Sequence, residues 1–456
     1  MTSRRLAWLG IASVPIYTWA LLYGPFRPGR IQPFIVMFAV VFIIYAAACY
    51  FVLHQETQQR NTLVIIFGFS VIFNMLLLPS QPTLSDDMYR YVWDGRVQTN
   101  GINPYRYASN APELASLRDP IIWAHMNRPK AITVYPPGAE LLFAFLWWLA
   151  PDSILIFKIF MIGCELLCGG LLVVLMKRLG ERPERVLIFL WSPVLIFEIA
   201  HSAHIDAVYL PLIVGALLLR ATAPPDRVNP WSEIGIGVLL GASVLIKLYP
   251  AMLLVPLWSV RDSHGCRRWR LALPLAALAT VAAGYALYIV PGVDTLGFLP
   301  SYSREFFNVA PFTMAIMQWV PTFKLPYYLP VNLLMPLCVG LVSLYFVVVP
   351  ARSARQSIMR CTVPIAIYLL ISQNLFSWYV LWMLPFIALD LKAGPILGFT
   401  LNAAFAWWLF SGLVVLSYTL FITGFAQDWA SWLQFIPLYL LLLFPFFQRR
   451  FARETV

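Results

Sequence analysis

Three polar clusters in an otherwise apolar chain carry residue types that could do chemistry. The first is SDDMYRYVWDGRVQTNGINPY, residues 85–105. Ser85 is a good N-cap, Asp86 and Asp87 fall in the first turn, and Asn100-Gly101 is a stop signal, which predicts a helix of about four turns. At about 100° per residue, Asp87, Tyr91 and Asp94 share one face, and Asp86 and Arg90 another. Paired carboxylates there complement the helix dipole; beside a substrate they can also take a proton from a hydroxyl group. The second cluster is EIAHSAHID, residues 198–206, with Glu198, His201 and His204 at helical i+3 steps and Asp206 following. Carboxylate and imidazole so spaced could hold zinc or another divalent cation, although HxxHxD is a weak pattern, and hydrogen bonds to a sugar or phosphate fit as well. The third is Lys247 in IKLYP, with no acid near it in sequence. A buried lysine of this kind suits an anionic ligand or an acid elsewhere in the bundle.

The elements that must position these groups are membrane spans. Of 456 residues, 60% are hydrophobic and only 12% charged, with a mean hydropathy of +0.74. A soluble domain carries about 25% charged residues, so the composition predicts an all-α polytopic membrane protein. The run after Arg4-Arg5 lacks a small-residue cleavage site and reads as a first span rather than a signal peptide. Apolar stretches near 6–23, 31–53, 61–79, 153–176, 184–200, 205–220, 233–247, 250–260, 270–291, 330–350, 359–373, 378–390, 393–422 and 430–448 predict about 12–14 crossings, several shorter than the ~20 residues a full crossing needs.

Basic residues fall on one side: Arg4, Arg5, Arg60, Lys177, Arg178, Arg220, Arg227, Arg267, Arg268, Arg270, Arg352, Arg355, Arg449 and Arg450 among them. Apart from the long loop after residue 80, the opposite side holds only Arg27, Arg30, Arg304 and Lys324. The positive-inside rule puts both termini in the cytoplasm and loop 80–137 on the outer face. The same asymmetry accounts for the net charge of +11 without a nucleic-acid partner. Segment 233–260 reads as two half-length helices meeting at Lys247-Leu248-Tyr249-Pro250, and 359–390 as a similar pair meeting at SQNLFSWY. Breaks at membrane depth need protein or a water-lined cavity beside them, so both should border a cavity open to the outer face. YPPGAELLFAFLWWLA, residues 135–150, is too short to span, and Trp147 and Trp148 suit a helix lying along the membrane surface. A second outer-face loop, 291–329, should complete the cover. Lys158 is expected to snorkel and Glu165 to be hydrogen-bonded inside the bundle. Cys49, Cys164, Cys168, Cys266, Cys338 and Cys361 suggest no disulfide framework, and Cys164 and Cys168 read as packed thiols.

The order SDDMYRYVWDGRV, GINPY, VYPPGAELLF, E…H.D, IKLYP and SWYVLWMLP resembles the GT-C superfamily of membrane glycosyltransferases, which use polyprenyl-phosphate sugars. It is most similar to bacterial polyprenol-phosphate-mannose-dependent mannosyltransferases and, more distantly, to the first mannosyltransferase of GPI-anchor synthesis. The resemblance covers about residues 60–390. It implies a single integral membrane domain over 1–456, a GT-C-like bundle with a large outer-face loop containing short helices, and a bacterial-type inner membrane. It also implies an aspartate of that loop as base, often within a DxD; here the acids are adjacent and Met88 stands at the second acidic place. Asp86 is therefore the expected base, with Asp87 as alternate base or sugar contact. Arg90, Tyr91, Asp94, Tyr105, Tyr135, Glu198, His204, Asp206 and Lys247 are the expected substrate contacts, with His204, Asp206 and Lys247 at the donor phosphate. The implied reaction is inverting transfer of a sugar, mannose in the nearest relatives, to a lipid, glycan or protein acceptor, with a divalent cation as the one cofactor to consider. The rival reading is a secondary transporter or flippase, which also has broken helices and buried charges. The chain carries no convincing internal repeat of the kind such proteins show.

Overall fold

Local signals set the helix boundaries in the computed structural model, which describes residues 2–24, 30–55, 60–223, 229–261, 271–319, 326, 328–419 and 428–454. Three long helices open the chain: α1 (Thr2–Tyr23), α2 (Ile31–Leu53) and α3 (Arg60–Leu77). The loop after them folds α4 (Asp87–Thr99) against α5 (Pro137–Leu149). Then α6 (Ile154–Arg178) starts where the Ser153 hydroxyl accepts from the Ile156 N–H, and stops at Gly180, whose φ of 73° only glycine adopts cheaply. It packs on α7 (Asp206–Thr222), α7 on α8 (Pro230–Ile246), and α8 on α9 (Ala272–Ala286). The last pair approaches closely because Gly237 and Gly241 sit one turn apart: a Cβ on Gly237 would lie 2.3 Å from the Leu273 carbonyl oxygen. Beyond them lie α10 (Pro311–Trp319), α11 (Leu329–Val348), α12 (Thr362–Ile371), α13 (Ala403–Leu413) and α14 (Asp428–Glu454).

The outer surface of several helices is apolar. Leu333, Leu337, Leu341, Leu344 and Val348 form an exposed stripe along α11, as do Trp429, Trp432, Leu433, Ile436, Leu440 and Leu443 along α14. Water-facing surfaces do not tolerate such stripes, whereas lipid does. Four helices among the described residues are long and apolar enough to cross a membrane: Thr2–Tyr23, Ile31–Leu53, Ile154–Arg178 and Val331–Val348. The chain is a largely helical, multi-pass membrane protein.

Length and composition thus do not yield 12–14 full crossings, and the backbone shows why. The expected span 184–200 is a buried zigzag of single turns, Pro183–Val186, Leu187–Leu190 and Pro193–Ile196, ending in a π-helical turn at Phe197–His201. Pro193 lacks the N–H that a continuous helix would need there. Its backbone breaks are supported from neighbours: Tyr45 donates to the Ile188 carbonyl at 2.6 Å. The expected span 378–390 begins as a 3-10 turn, Ser377–Trp382, and 393–422 begins with a short extended segment, Ala393–Ile396, before α13. Arg27, Arg227, Cys266, Arg267, Arg268, Arg270 and Lys324 lie outside the described residues.

Candidate functional site

Both predicted helix breaks wall the same cavity, of about 930 Å³. α8 stops at Ile246, Lys247 leaves the helix with an extended backbone, and a 3-10 turn resumes at Tyr249–Leu253. The second break, from Ser372 to the turn at Ser377–Trp382, adds Gln373, Asn374, Trp378, Tyr379 and Trp382 to the lining, with Trp382 stacked on Tyr249 of the first break. The start of α4, residues 127–136, residues 298–307 and one face of α11 close the rest. The volume suits a ligand with both a polar and an apolar part.

Of the expected site residues, Asp86, Asp87, Arg90, Tyr91, Tyr135, Asp206 and Lys247 line this cavity. Asp86, rather than Ser85, is the N-cap of α4, because the Ser85 hydroxyl accepts from the Asp87 N–H and tightens the turn by one residue. The Asp87 carboxylate accepts from Asn127 Nδ2 at 2.8 Å. Partial desolvation in the cavity wall, and then the charge on Asp87, hold the Asp86 carboxyl above its usual range, while His125 opposes the shift.

Lys247 is not unpaired. Its ammonium lies 2.9 Å from each oxygen of the fully buried Asp206 and stacks over the Tyr379 ring at 4.7 Å. Trp382 Nε1 at 2.9 Å and the Tyr209 hydroxyl also donate to Asp206. Asp206 therefore fixes the lysine at the cavity edge. Lys247 keeps one edge on the cavity. A third cavity cation, Arg128, escaped the sequence reading; it pairs with Glu305 at 2.6 Å and sits over the Tyr302 ring. Its φ of 46° before Pro129 is a strained, left-handed conformation for an arginine. Asn127 was also missed, and the only local signal was the polar run HMNRPK.

Four expected contacts stand behind the wall. Asp94 does not share a working face with Asp87; it is buried and takes Arg90 Nε at 2.8 Å, so that Arg90, also bonded to the Ala131 carbonyl, is held at the cavity edge. Next to Asp94, burial and then the charge of Asp94 push the Glu140 carboxyl well up. Tyr105 donates to the Tyr135 carbonyl at 2.6 Å and supports that tyrosine from outside. Glu198 accepts from the Tyr418 hydroxyl at 2.8 Å. His204 is fully buried against Trp378, with ring centroids 3.8 Å apart. Neither Glu198 nor His204 is among the residues lining the cavity.

The HxxHxD cluster does not converge. His201 turns to the Ser80 hydroxyl at 2.8 Å, while Asp206 turns to Lys247. Among the described residues no three His, Cys, Asp or Glu side chains are grouped to hold a metal ion. Lys158, expected to snorkel, is instead buried and donates to the carbonyls of Leu77 and Ser80, capping the end of α3. Glu165 is hydrogen-bonded within the bundle, accepting from Asn74 Nδ2 at 3.0 Å.

Residues 298–305 press on the polar loop. The Phe298 N–H bonds to the Thr133 carbonyl at 2.9 Å, and Gly297, at φ 57°, leaves no room for a Cβ against that oxygen. Together these contacts hold the cavity roof onto residues 127–136.

Comparison with known proteins places this architecture. No curated protein matches the chain. Among solved structures, it is similar to ArnT from Cupriavidus metallidurans bound to undecaprenyl phosphate, at 13% identity and a TM-score of 0.44, over 83% of this chain and 75% of that one. Residues 3–261, more than half of the chain, match the MptA_B family, described as alpha-(1->6)-mannopyranosyltransferase, N-terminal domain. The chain belongs to that family and is a membrane glycosyltransferase of the GT-C superfamily.

Proposed function

We propose that this enzyme transfers mannose from a polyprenyl-phosphate donor to a hydroxyl group of a lipid or glycan acceptor, with inversion at the anomeric carbon. The observation that carries the reading is that one cavity is lined by the carboxylates of Asp86 and Asp87 together with the cations of Lys247 and Arg128. Asp87, oriented by Asn127, is the favoured base, with Asp86 as its alternate or a sugar contact. Geometry outranks basicity in choosing a general base, and Asp87 is the better held of the two. As the acceptor O–H gives its proton to the carboxylate, the new C1–O bond forms and the C1–O bond to phosphate breaks. The electron pair leaves with the phosphate, whose charge Lys247 and Arg128 stabilise. Attack opposite the leaving group inverts the centre, and a phosphate needs no acid to depart.

Apolar residues of the same cavity support a lipid donor. Val331, Met335, Pro336 and Val339 of α11 face Ile246, Leu248 and Met252 there, giving a polyprenyl chain a route in from the bilayer. Loops 80–137 and 291–329 are taken as one roof on the outer face of an inner membrane, with both termini in the cytoplasm and the whole chain as one integral domain. The shorter apolar helices Asn61–Leu77, Pro230–Ile246, Ala272–Ala286, Ala403–Thr419 and Trp429–Pro445 would pair with their short continuations to add crossings to the four long helices. A transporter gains no support, since the family is one of glycosyltransferases.

The deciding experiment gives purified protein polyprenyl-phosphate-mannose and a hydroxyl acceptor. Release of polyprenyl phosphate with mannose in the opposite anomeric configuration is the expected result. Absence of transfer under conditions where the donor binds would remove the reading.

A further inference from the structure

Behind Asp87 lies a buried histidine with a carboxylate facing each ring nitrogen. His204 Nδ1 is 3.8 Å from Asp87 Oδ2, and its Nε2 is 3.4 Å from Glu198 Oε2. Both gaps are longer than a formed hydrogen bond, and neither ring nitrogen has a hydrogen-bond partner among the described residues. The ring is fully buried, so leaving it this way costs free energy that a small closure of either gap would recover. The backbone around it is unusual. Phe197–His201 forms a π-helical turn, and Ala203 has a φ of 55°, a left-handed value for a residue with a Cβ. Such turns recur at functional sites, and here His204 stands between Glu198 at its Nε2 and Asp87 at its Nδ1.

We infer that Glu198 and His204 are positioning residues that draw the acceptor's proton away from Asp87. Glu198 accepts from Nε2–H and so fixes the tautomer whose Nδ1 lone pair faces Asp87. The proton taken from the acceptor hydroxyl by Asp87 then passes to Nδ1. The sugar–phosphate electron pair departs with the phosphate, and the imidazolium remains between two carboxylates until it releases its proton. No oxidant or further reactant is needed. Trp378, stacked on the ring with centroids 3.8 Å apart, restrains its rotation. Ser377 donates to the Tyr418 hydroxyl, which donates to Glu198 Oε1 and fixes that carboxylate from behind.

Other ionisable groups around the ring are few. His201 lies on its own turn, bonded to Ser80, which also meets Lys158. Tyr91 of α4 accepts from the Ile205 N–H, and Asp206 is engaged with Lys247. None of these stands between His204 and its two carboxylates.

This inference rests on glycosyl transfer at the cavity, and its test separates the two. Purified wild type, His204→Gln and Glu198→Gln are compared for mannose transfer from polyprenyl-phosphate-mannose as a function of pH, with donor affinity measured on the same preparations. Both variants should lose at least about 10-fold in kcat with donor affinity unchanged, and the acid limb of the His204→Gln profile should move to lower pH by about one unit or more. Glu198→Gln can present an amide N–H to Nε2, reverse the tautomer and block Nδ1, so its kcat should fall as far as that of His204→Gln. Variants that bind donor and transfer with the wild-type rate, or with a lower rate on an unmoved acid limb, overturn the relay and leave the transferase reading standing. If His204→Gln does not fold, Glu198→Gln decides alone. A wild type without transfer overturns the transferase reading and the relay with it.

Discussion

Asp206 and Lys247 form a single unit: both carboxylate oxygens lie 2.9 Å from the ammonium, across 41 residues of sequence, at the point where α8 ends. The lysine that faces the cavity is therefore also the partner of an acid with no solvent access. Removing one without the other strands a charge. Lys247→Met should weaken donor binding and also destabilise the protein by the order of 3 kcal/mol, the usual consequence of breaking a buried pair. The double change Lys247→Met with Asp206→Asn should recover much of the stability and none of the donor affinity. Thermal unfolding and donor binding, measured on both variants, check this. Normal donor binding by Lys247→Met would reduce the lysine to a structural group.

A second expectation concerns sidedness. A reporter active only outside the cytoplasm should work when fused after Asn110, in the loop carrying α4, and be silent after Glu181, past the basic end of α6. The opposite pattern would put Asp86 and Asp87 in the cytoplasm.

What the sequence disclosed depended on how local the signal was. α4 was legible almost to the residue, since Ser85, the two aspartates and Asn100-Gly101 act within one turn of the helix ends. The two breaks were legible because Pro250 and the polar run SQN interrupt apolar stretches, and both border the cavity. Lys247's partner was not, because no periodicity links it to Asp206. Arg128 and Asn127 stayed hidden in a loop whose conformation comes from tertiary contacts, such as the Arg128–Glu305 pair. The zigzag 183–201 read as one span since hydropathy averages over turns and cannot see where the backbone bonds go. Glu198, His201 and His204 were noticed as chemistry on one helical face; the π turn sends His201 to Ser80 and leaves Glu198 beside His204.

The raised Asp86 carboxyl has a stability consequence of definite sign. A carboxyl that binds its proton more tightly in the folded state favours folding fully below its ordinary value of 3.8, and this contribution is lost as pH rises through the folded value. At neutral pH the ionised side chain is then a net cost. Asp86→Asn keeps the capping ability and removes the charge, so it should raise the unfolding midpoint at pH 7.5 by about 1–2 °C, with less than about 1 kcal/mol behind it because the group stays partly solvated. Near pH 3 the two proteins should unfold together. A midpoint lowered at pH 7.5 would mean that Asp86 is held as an anion by a partner.

The choice between adjacent carboxylates is the sharpest test. Asp87 is held by Asn127 and backed by His204, whereas Asp86 caps α4 without a side-chain hydrogen bond to its turn. If both acids served only the helix dipole, neutralising either would cost about 0.3–1 kcal/mol of local stability and leave turnover nearly unchanged. As base, Asp87 should be worth about 10²–10⁴-fold in the chemical step, so Asp87→Asn should bind donor and barely transfer. Asp86→Asn should lose no more than about 10-fold, through the sugar contact it would weaken. Asn127→Leu should fall between them, because it leaves Asp87 charged but free to turn. Single-turnover transfer, with donor affinity determined separately, distinguishes these cases. A dead Asp86→Asn beside an active Asp87→Asn would move the base by one residue and detach it from His204; full activity in both would take the catalytic base out of α4.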